Sequence, residues 1–247
     1  RPIRLKDYMP PAFAIAEVTL DIELDPKATR VHTTLKMARN PKAADSTAPL
    51  VLDGEKLQLH EVKIDGETLG KNRYMVSDTQ LVIHDVPAGA FTLETVTTCA
   101  PEENTALEGL YLSNGIYCTQ CEAEGFRRIT YYIDRPDVMS VFRTRITGDR
   151  KATPVLLSNG NPVKSGKTKD GRHFVEWHDP FPKPSYLFAL VAGDLDLFHE
   201  GAEGAATLRA DRIVNAAGPF VAQVAEAGAG ELYPAGGYAV AAHFEGF

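Results

Sequence analysis

The chain has 247 residues, 44% of them hydrophobic, and a formal net charge of −7 from 26 basic and 33 acidic residues. That is material for one large all-β domain or two ordinary domains, and the interspersed charges argue against a phosphate-tracking, nucleic-acid-binding surface. No stretch approaches the roughly 20 apolar residues of a membrane span, and Arg1-Pro2-Ile3-Arg4 lacks the apolar run of a signal peptide. A cytoplasmic setting is expected, and the missing initiator Met leaves open that this is part of a longer protein.

The first half alternates with period two. Val18, Leu20, Ile22 and Leu24 interleave with Glu17, Thr19, Asp21 and Glu23, which predicts a strand with one face in a core and the other in water. Asp25-Pro26-Lys27 breaks the run. Val31, Thr33, Leu35 and Met37 then read as the core face of the returning antiparallel strand. Short strands follow at 50–52, 57–59, 62–64, 81–83 and 91–97, punctuated by Asp53-Gly54, Asp65-Gly66 and Pro87-Ala88-Gly89. In those turns Gly is expected to supply positive φ and Asp to bond local backbone. The same style predicts strands at 129–133, 141–146, 154–157, 174–177 and 186–192, with turns at 158–161 and 169–172. So many short strands, with almost no amphipathic helical stretch, imply an all-β fold: a large antiparallel sandwich or saddle-like domain over residues 1–200. No internal repeat is apparent. From Gly201 the composition turns Ala- and Gly-rich, and 201–247 is an unassigned tail in which 219–229 reads as a short helix.

Three cysteines, Cys99, Cys118 and Cys121, do not make a disulfide framework. Cys118 and Cys121 form a lone C-x-x-C pair without the second pair of a zinc ribbon or the following helix of a thioredoxin motif, so ordinary thiols are the default. The densest polar cluster is Thr119-Gln120-Cys121-Glu122-Ala123-Glu124-Gly125-Phe126-Arg127-Arg128, followed by Asp134-Arg135-Pro136-Asp137. In an extended segment Gln120 and Glu122 point to one face, where Glu124 can join them. A carboxylate with an amide oxygen makes a good acceptor set for a protonated amine, which brings only donors. The bland alternative is a solvated acidic loop paired to Arg127 or Arg128. Asp134-Arg135-Pro136-Asp137 is most simply a turn.

The runs from Asn104 to Tyr111, Cys118 to Arg127 and Thr130 to Val138, then Leu157-Ser158-Asn159-Gly160-Asn161 and Asp179 to Asp194, resemble bacterial zinc aminopeptidases of the aminopeptidase N type. With the opening Tyr8-Met9-Pro10-Pro11-Ala12-Phe13, the resemblance spans about residues 4–200. It implies the family's β-rich N-terminal domain, whose Gln-x-Glu segment reaches into the active site of the next domain. At the matching positions, Glu122 would help anchor the free α-amine of a peptide and Gln120 would line the pocket for the first side chain. Pairing a buried ammonium with a carboxylate is what a site demanding a free N-terminus requires.

The family's zinc motif, His-Glu-x-x-His, is not in this sequence: His60-Glu61 and His199-Glu200 are followed at the fourth position by Ile64 and Glu203. Its Gly-x-Met-Glu-Asn exopeptidase motif is not present either. The expectation is therefore an amine-recognition domain of a zinc aminopeptidase, with peptide N-termini and a missing catalytic domain as partners. The chain alone would hold no zinc and catalyse nothing. A non-catalytic β-sandwich scaffold related to these peptidases is the rival reading. Ala210-Asp211-Arg212-Ile213-Val214-Asn215-Ala216-Ala217-Gly218-Pro219 is similar to a segment of some flavin- or nicotinamide-linked oxidoreductases, but no Gly-x-Gly-x-x-Gly loop accompanies it.

Overall fold

The computed structural model describes residues 8–45 and 47–195, together with the backbone at 214–215 and 241–242. The expected helix at 219–229, the oxidoreductase-like segment apart from Val214 and Asn215, and His199-Glu200 all lie outside the described residues.

Fifteen strands run through 8–195: β1 (Phe13–Glu23), β2 (Thr29–Arg39), β3 (Leu50–Asp53), β4 (Gln58–Ile64), β5 (Glu67–Thr68), β6 (Tyr74–Val76), β7 (Gln80–Ile83), β8 (Phe91–Cys99), β9 (Gly109–Ser113), β10 (Ile116–Gln120), β11 (Ser140–Gly148), β12 (Val155–Ser158), β13 (Asn161–Lys167), β14 (His173–Lys183) and β15 (Leu190–Gly193). An eight-stranded sheet has the order β13-β14-β11-β1-β2-β8-β4-β5, a four-stranded sheet β12-β15-β10-β9, and a three-stranded sheet β3-β7-β6. The all-β expectation holds.

Period-two patterning dictates the large sheet. Val18, Leu20 and Ile22 on β1, and Val31, Leu35 and Met37 on β2, are buried, and one hydrophobic cluster takes residues from all three sheets. Thr33 sits in this apolar row because its hydroxyl is satisfied by that of Thr130 at 2.6 Å. β1 and β2 pair antiparallel as expected, whereas β1 and β11 pair parallel, from Glu17↔Val141 to Glu23↔Thr147.

That parallel pair exposes a short repeat which strand alternation concealed. Asp25-Pro26-Lys27-Ala28-Thr29 leaves β1, and Asp149-Arg150-Lys151-Ala152-Thr153 leaves β11. In each, the Asp Oδ1 accepts from the amides two and three residues on, and the Thr hydroxyl donates to the Asp carbonyl. The two loops build the same Asx turn at equivalent ends of neighbouring strands.

Several local expectations are corrected. Segments 57–59 and 62–64 are one strand, β4, interrupted by a register shift between Leu59 and Glu61. Residues 129–133 are not a strand, because a 3-10 turn at Phe126–Arg128 runs into them and they contribute only an Asp53–Tyr132 bridge. Segment 186–192 is split between a 3-10 turn, Ser185–Leu187, and β15. Of the glycine turns, Asp65-Gly66 has left-handed φ of 51° and 83°, whereas Gly54 does not. Gly54 is needed for space, since a Cβ there would meet the Tyr131 ring at 2.2 Å.

Candidate functional site

The site begins at a hairpin. Asn114 and Gly115, with φ of 49° and 80°, join β9 to β10, the geometry that an Asn-Gly pair supplies between antiparallel strands. The Asn-Gly dipeptide is itself a hairpin signal legible in the sequence. Thr119 fastens β10 to β15, its hydroxyl donating to the Leu190 carbonyl at 3.2 Å and accepting from the Leu190 amide at 2.8 Å. β10 therefore delivers Gln120 on a strand held from both sides.

The strand ends at Gln120, and residues 122–125 form a turn closed by Gly125 N–H donating to the Cys121 carbonyl at 2.9 Å. Gly125 is required by close approach: a Cβ there would lie 2.2 Å from the Gln120 carbonyl oxygen and 2.8 Å from the Gly109 nitrogen. The expected extended Gln-x-Glu segment is thus a strand end plus a turn. Gln120 and Glu122 are nonetheless both exposed, with Cys121 buried between them. The Gln120 amide nitrogen donates to the main-chain carbonyl of Glu122 at 3.1 Å. The Glu122–Ala123 peptide bond is cis. Among the described residues Glu122 has no ion-pair partner.

Glu124 does not join that pair freely. Its carboxylate lies 3.2 Å from Nη1 of Arg127, the pairing that the bland reading anticipated. Arg127 is the hub beneath the turn: its main-chain N–H and Nε both donate to Asp134 Oδ2, at 3.1 and 3.2 Å, and its Nη2 donates to the Asp134 carbonyl at 3.3 Å. Asp134, its side chain 1% exposed, also accepts from the Ser185 hydroxyl at 2.6 Å through Oδ1. Asp53 lies 3.9 Å from Arg127 and accepts the Asp134 amide at 3.2 Å. Burial works against the Arg127 charge, but Asp134, Asp53 and Glu124 together keep its pKa above the ordinary arginine value. Arg128 pairs with Glu55 and Glu108 at 3.1 and 3.2 Å. Asp134 is therefore a buried framework residue rather than part of a simple turn.

Under the turn lies an aromatic cluster. Phe126 is fully buried and makes edge-on contacts with Tyr132, Phe142 and Phe188 at centroid distances of 5.0, 5.9 and 5.3 Å. Ser140 donates its only hydroxyl proton to the Ile15 carbonyl at 2.7 Å, so the Tyr132 hydroxyl is the donor in the 2.7 Å Tyr132–Ser140 contact. This chain of bonds ties the segment after the turn to β1 and β11.

No group of three or more His, Cys, Asp or Glu side chains is placed to hold a metal among the described residues. His60 bonds to the Thr98 hydroxyl and Glu61 pairs with Lys63. These residues do not fit a zinc site. Cys99, Cys118 and Cys121 are buried free thiols, and burial pushes Cys118 up to about 11 and Cys99 up to about 12. No helix among the described residues is long and apolar enough to cross a membrane.

An exposed amide at the end of β10 and an exposed carboxylate on the braced turn that follows thus sit on a three-sheet β scaffold. Residues 10–187 match the Peptidase M1 N-terminal domain, and the chain belongs to that family. Among its relatives, aminopeptidase N of Caulobacter vibrioides is 53% identical over 195 residues, covering 79% of this chain and 22% of that protein. Aminopeptidase N of Haemophilus influenzae is 48% identical over 213 residues, covering 84% and 24%. The crystal structure of Legionella pneumophila aminopeptidase A in complex with aspartic acid superposes with a TM-score of 0.73 at 36% identity, covering 78% of this chain and 23% of that one. The chain therefore spans about a quarter of the length of these relatives, and it holds the family's N-terminal domain.

Proposed function

We propose that residues 1–200 form the amine-recognition domain of a zinc aminopeptidase that releases N-terminal residues from peptides in the cytoplasm. Glu122 receives the substrate's α-ammonium, and Gln120 lines the pocket for its first side chain. The observation that carries this reading is the exposure of both side chains, one at the end of β10 and one on the turn that follows, with Glu122 free of an ion pair among the described residues while its neighbour Glu124 has one. A carboxylate left unpaired beside a neutral acceptor is suited to a ligand that supplies its own positive charge. Residues 201–247 fall outside this domain. In the longer protein zinc would activate a water for hydrolysis, and no ligand set for it is found among the residues described here.

The test is Glu122→Ala in the longer protein that carries this domain. Loss of one charge-assisted hydrogen bond, worth about 1.5–3 kcal/mol, corresponds to a fall of roughly 10- to 150-fold in kcat/KM on alanyl 4-nitroanilide. Full activity in the variant would remove Glu122 from the role. The 247-residue chain alone, incubated with zinc and the same anilide, is expected to show no turnover; chelator-sensitive turnover would contradict the division of labour proposed here.

A further inference from the structure

Two glutamates stand on the turn, two residues apart, and only one is neutralised. Glu124 is 66% exposed yet bound to Arg127, while Arg127 is itself 17% exposed and fixed from below by Asp134. An exposed ion pair is ordinarily weak because two long side chains must be ordered to make it. Here one partner is already ordered: three contacts of the Arg127 guanidinium go to Asp134 and Asp53, which are held in turn by Ser185 and by the Asp53–Tyr132 bridge. The guanidinium fork is therefore presented to Glu124 in advance.

We propose that Arg127 is a positioning residue for the amine anchor. It pins the turn through Glu124 and withholds that carboxylate, so that Glu122 alone meets the ammonium. The inference rests on the proposed role of Glu122. It is specific about geometry: Arg127 acts through the orientation of the turn and touches no substrate atom.

The experiment is a double-mutant cycle in the longer protein, with alanyl 4-nitroanilide as the probe. Arg127→Lys keeps the charge and loses the planar fork, and misplacement of a binding group by about 1 Å is enough to cost up to ~100-fold. The expected result is a rise in KM of ~10-fold or more with kcat little changed. In a Glu122→Ala background the same substitution should cost less than about twofold, because the group it positions is gone. Losses that multiply across the two backgrounds would overturn the proposal. Glu122→Ala without any effect of its own would instead sink the proposed function. If Arg127→Lys does not fold, Glu124→Gln tests the same link while leaving the Arg127–Asp134 contacts in place. A rise in KM that vanishes in the Glu122→Ala background supports the proposal, and unchanged kinetics overturn it.

Discussion

The large sheet and the 120–137 segment are built on opposite plans. In β2, and in β1 on either side of its bulge between Ile15 and Glu17, every second side chain enters the core, and the strands are held by ladders that nearly any β-forming sequence of that pattern would make. In the 120–137 segment the backbone is irregular, and its shape depends on particular residues: a glycine with no room for a Cβ, a buried aspartate and a guanidinium with three acidic neighbours. The first plan tolerates exchange among apolar residues and the second does not, which suits the recognition role proposed for the turn.

The sharpest way to break this contrast is to attack the packing beneath the turn. Phe126→Ala should cost about 3–5 kcal/mol in urea unfolding, as much as an equivalent deletion in the large sheet such as Leu20→Ala. A cost under about 1 kcal/mol would show the turn to be a mere appendage. Gly125→Ala forces a Cβ against two backbone atoms that have nowhere to go, and should cost about 1–3 kcal/mol. The same change at Gly66 adds no contact and meets only the strain of its positive φ, about 1 kcal/mol.

Acid provides a smaller test. Arg135 holds the Asp137 carboxyl below the ordinary aspartate value, aided by the Tyr8 hydroxyl. A depressed carboxylate contributes stability that is fully present above the unfolded pKa of about 3.9 and is lost as pH falls through the folded value. Asp137→Asn should therefore flatten part of the stability loss below about pH 4, by roughly 1 kcal/mol or less since the pair is partly exposed. An identical acid profile in the variant would remove this contact from the account. Least of all, Glu122→Ala should change unfolding stability by no more than about 0.5 kcal/mol, because its side chain is exposed and has no ion-pair partner among the described residues. A larger loss would mean that the residue serves the fold, and would blur the separation between scaffold and recognition.

Legibility in the sequence followed the same division. Period-two runs give β1 and β2 their correct inward faces, because burial of one face of a strand writes itself directly into the order of residues, and short apolar runs mark β8 and β11 as strands. Gln120 and Glu122 are singled out by residue type and family resemblance, and the structure keeps them exposed on either side of buried Cys121. The Arg127–Asp134–Ser185 link was not legible, since it joins residues brought together only by the fold, with Ser185 more than fifty positions from Arg127. The Ile129–Ile133 run misled for a related reason. Its apolar side chains enter the common core from a 3-10 turn and irregular backbone, and burial alone does not distinguish these from a strand.

The parallel pairing of β1 with β11 has a consequence for how the domain comes into being. The two strands are roughly 120 residues apart along the chain, and β11 together with β14 and β13 forms the whole of one flank of the large sheet. During synthesis β1 can zip to β2 early, but its other side stays bare until the ribosome has delivered β11. A polypeptide stopped before Ser140 would carry an open, apolar-backed seam ready to stick to other chains, so this domain is made whole or poorly made.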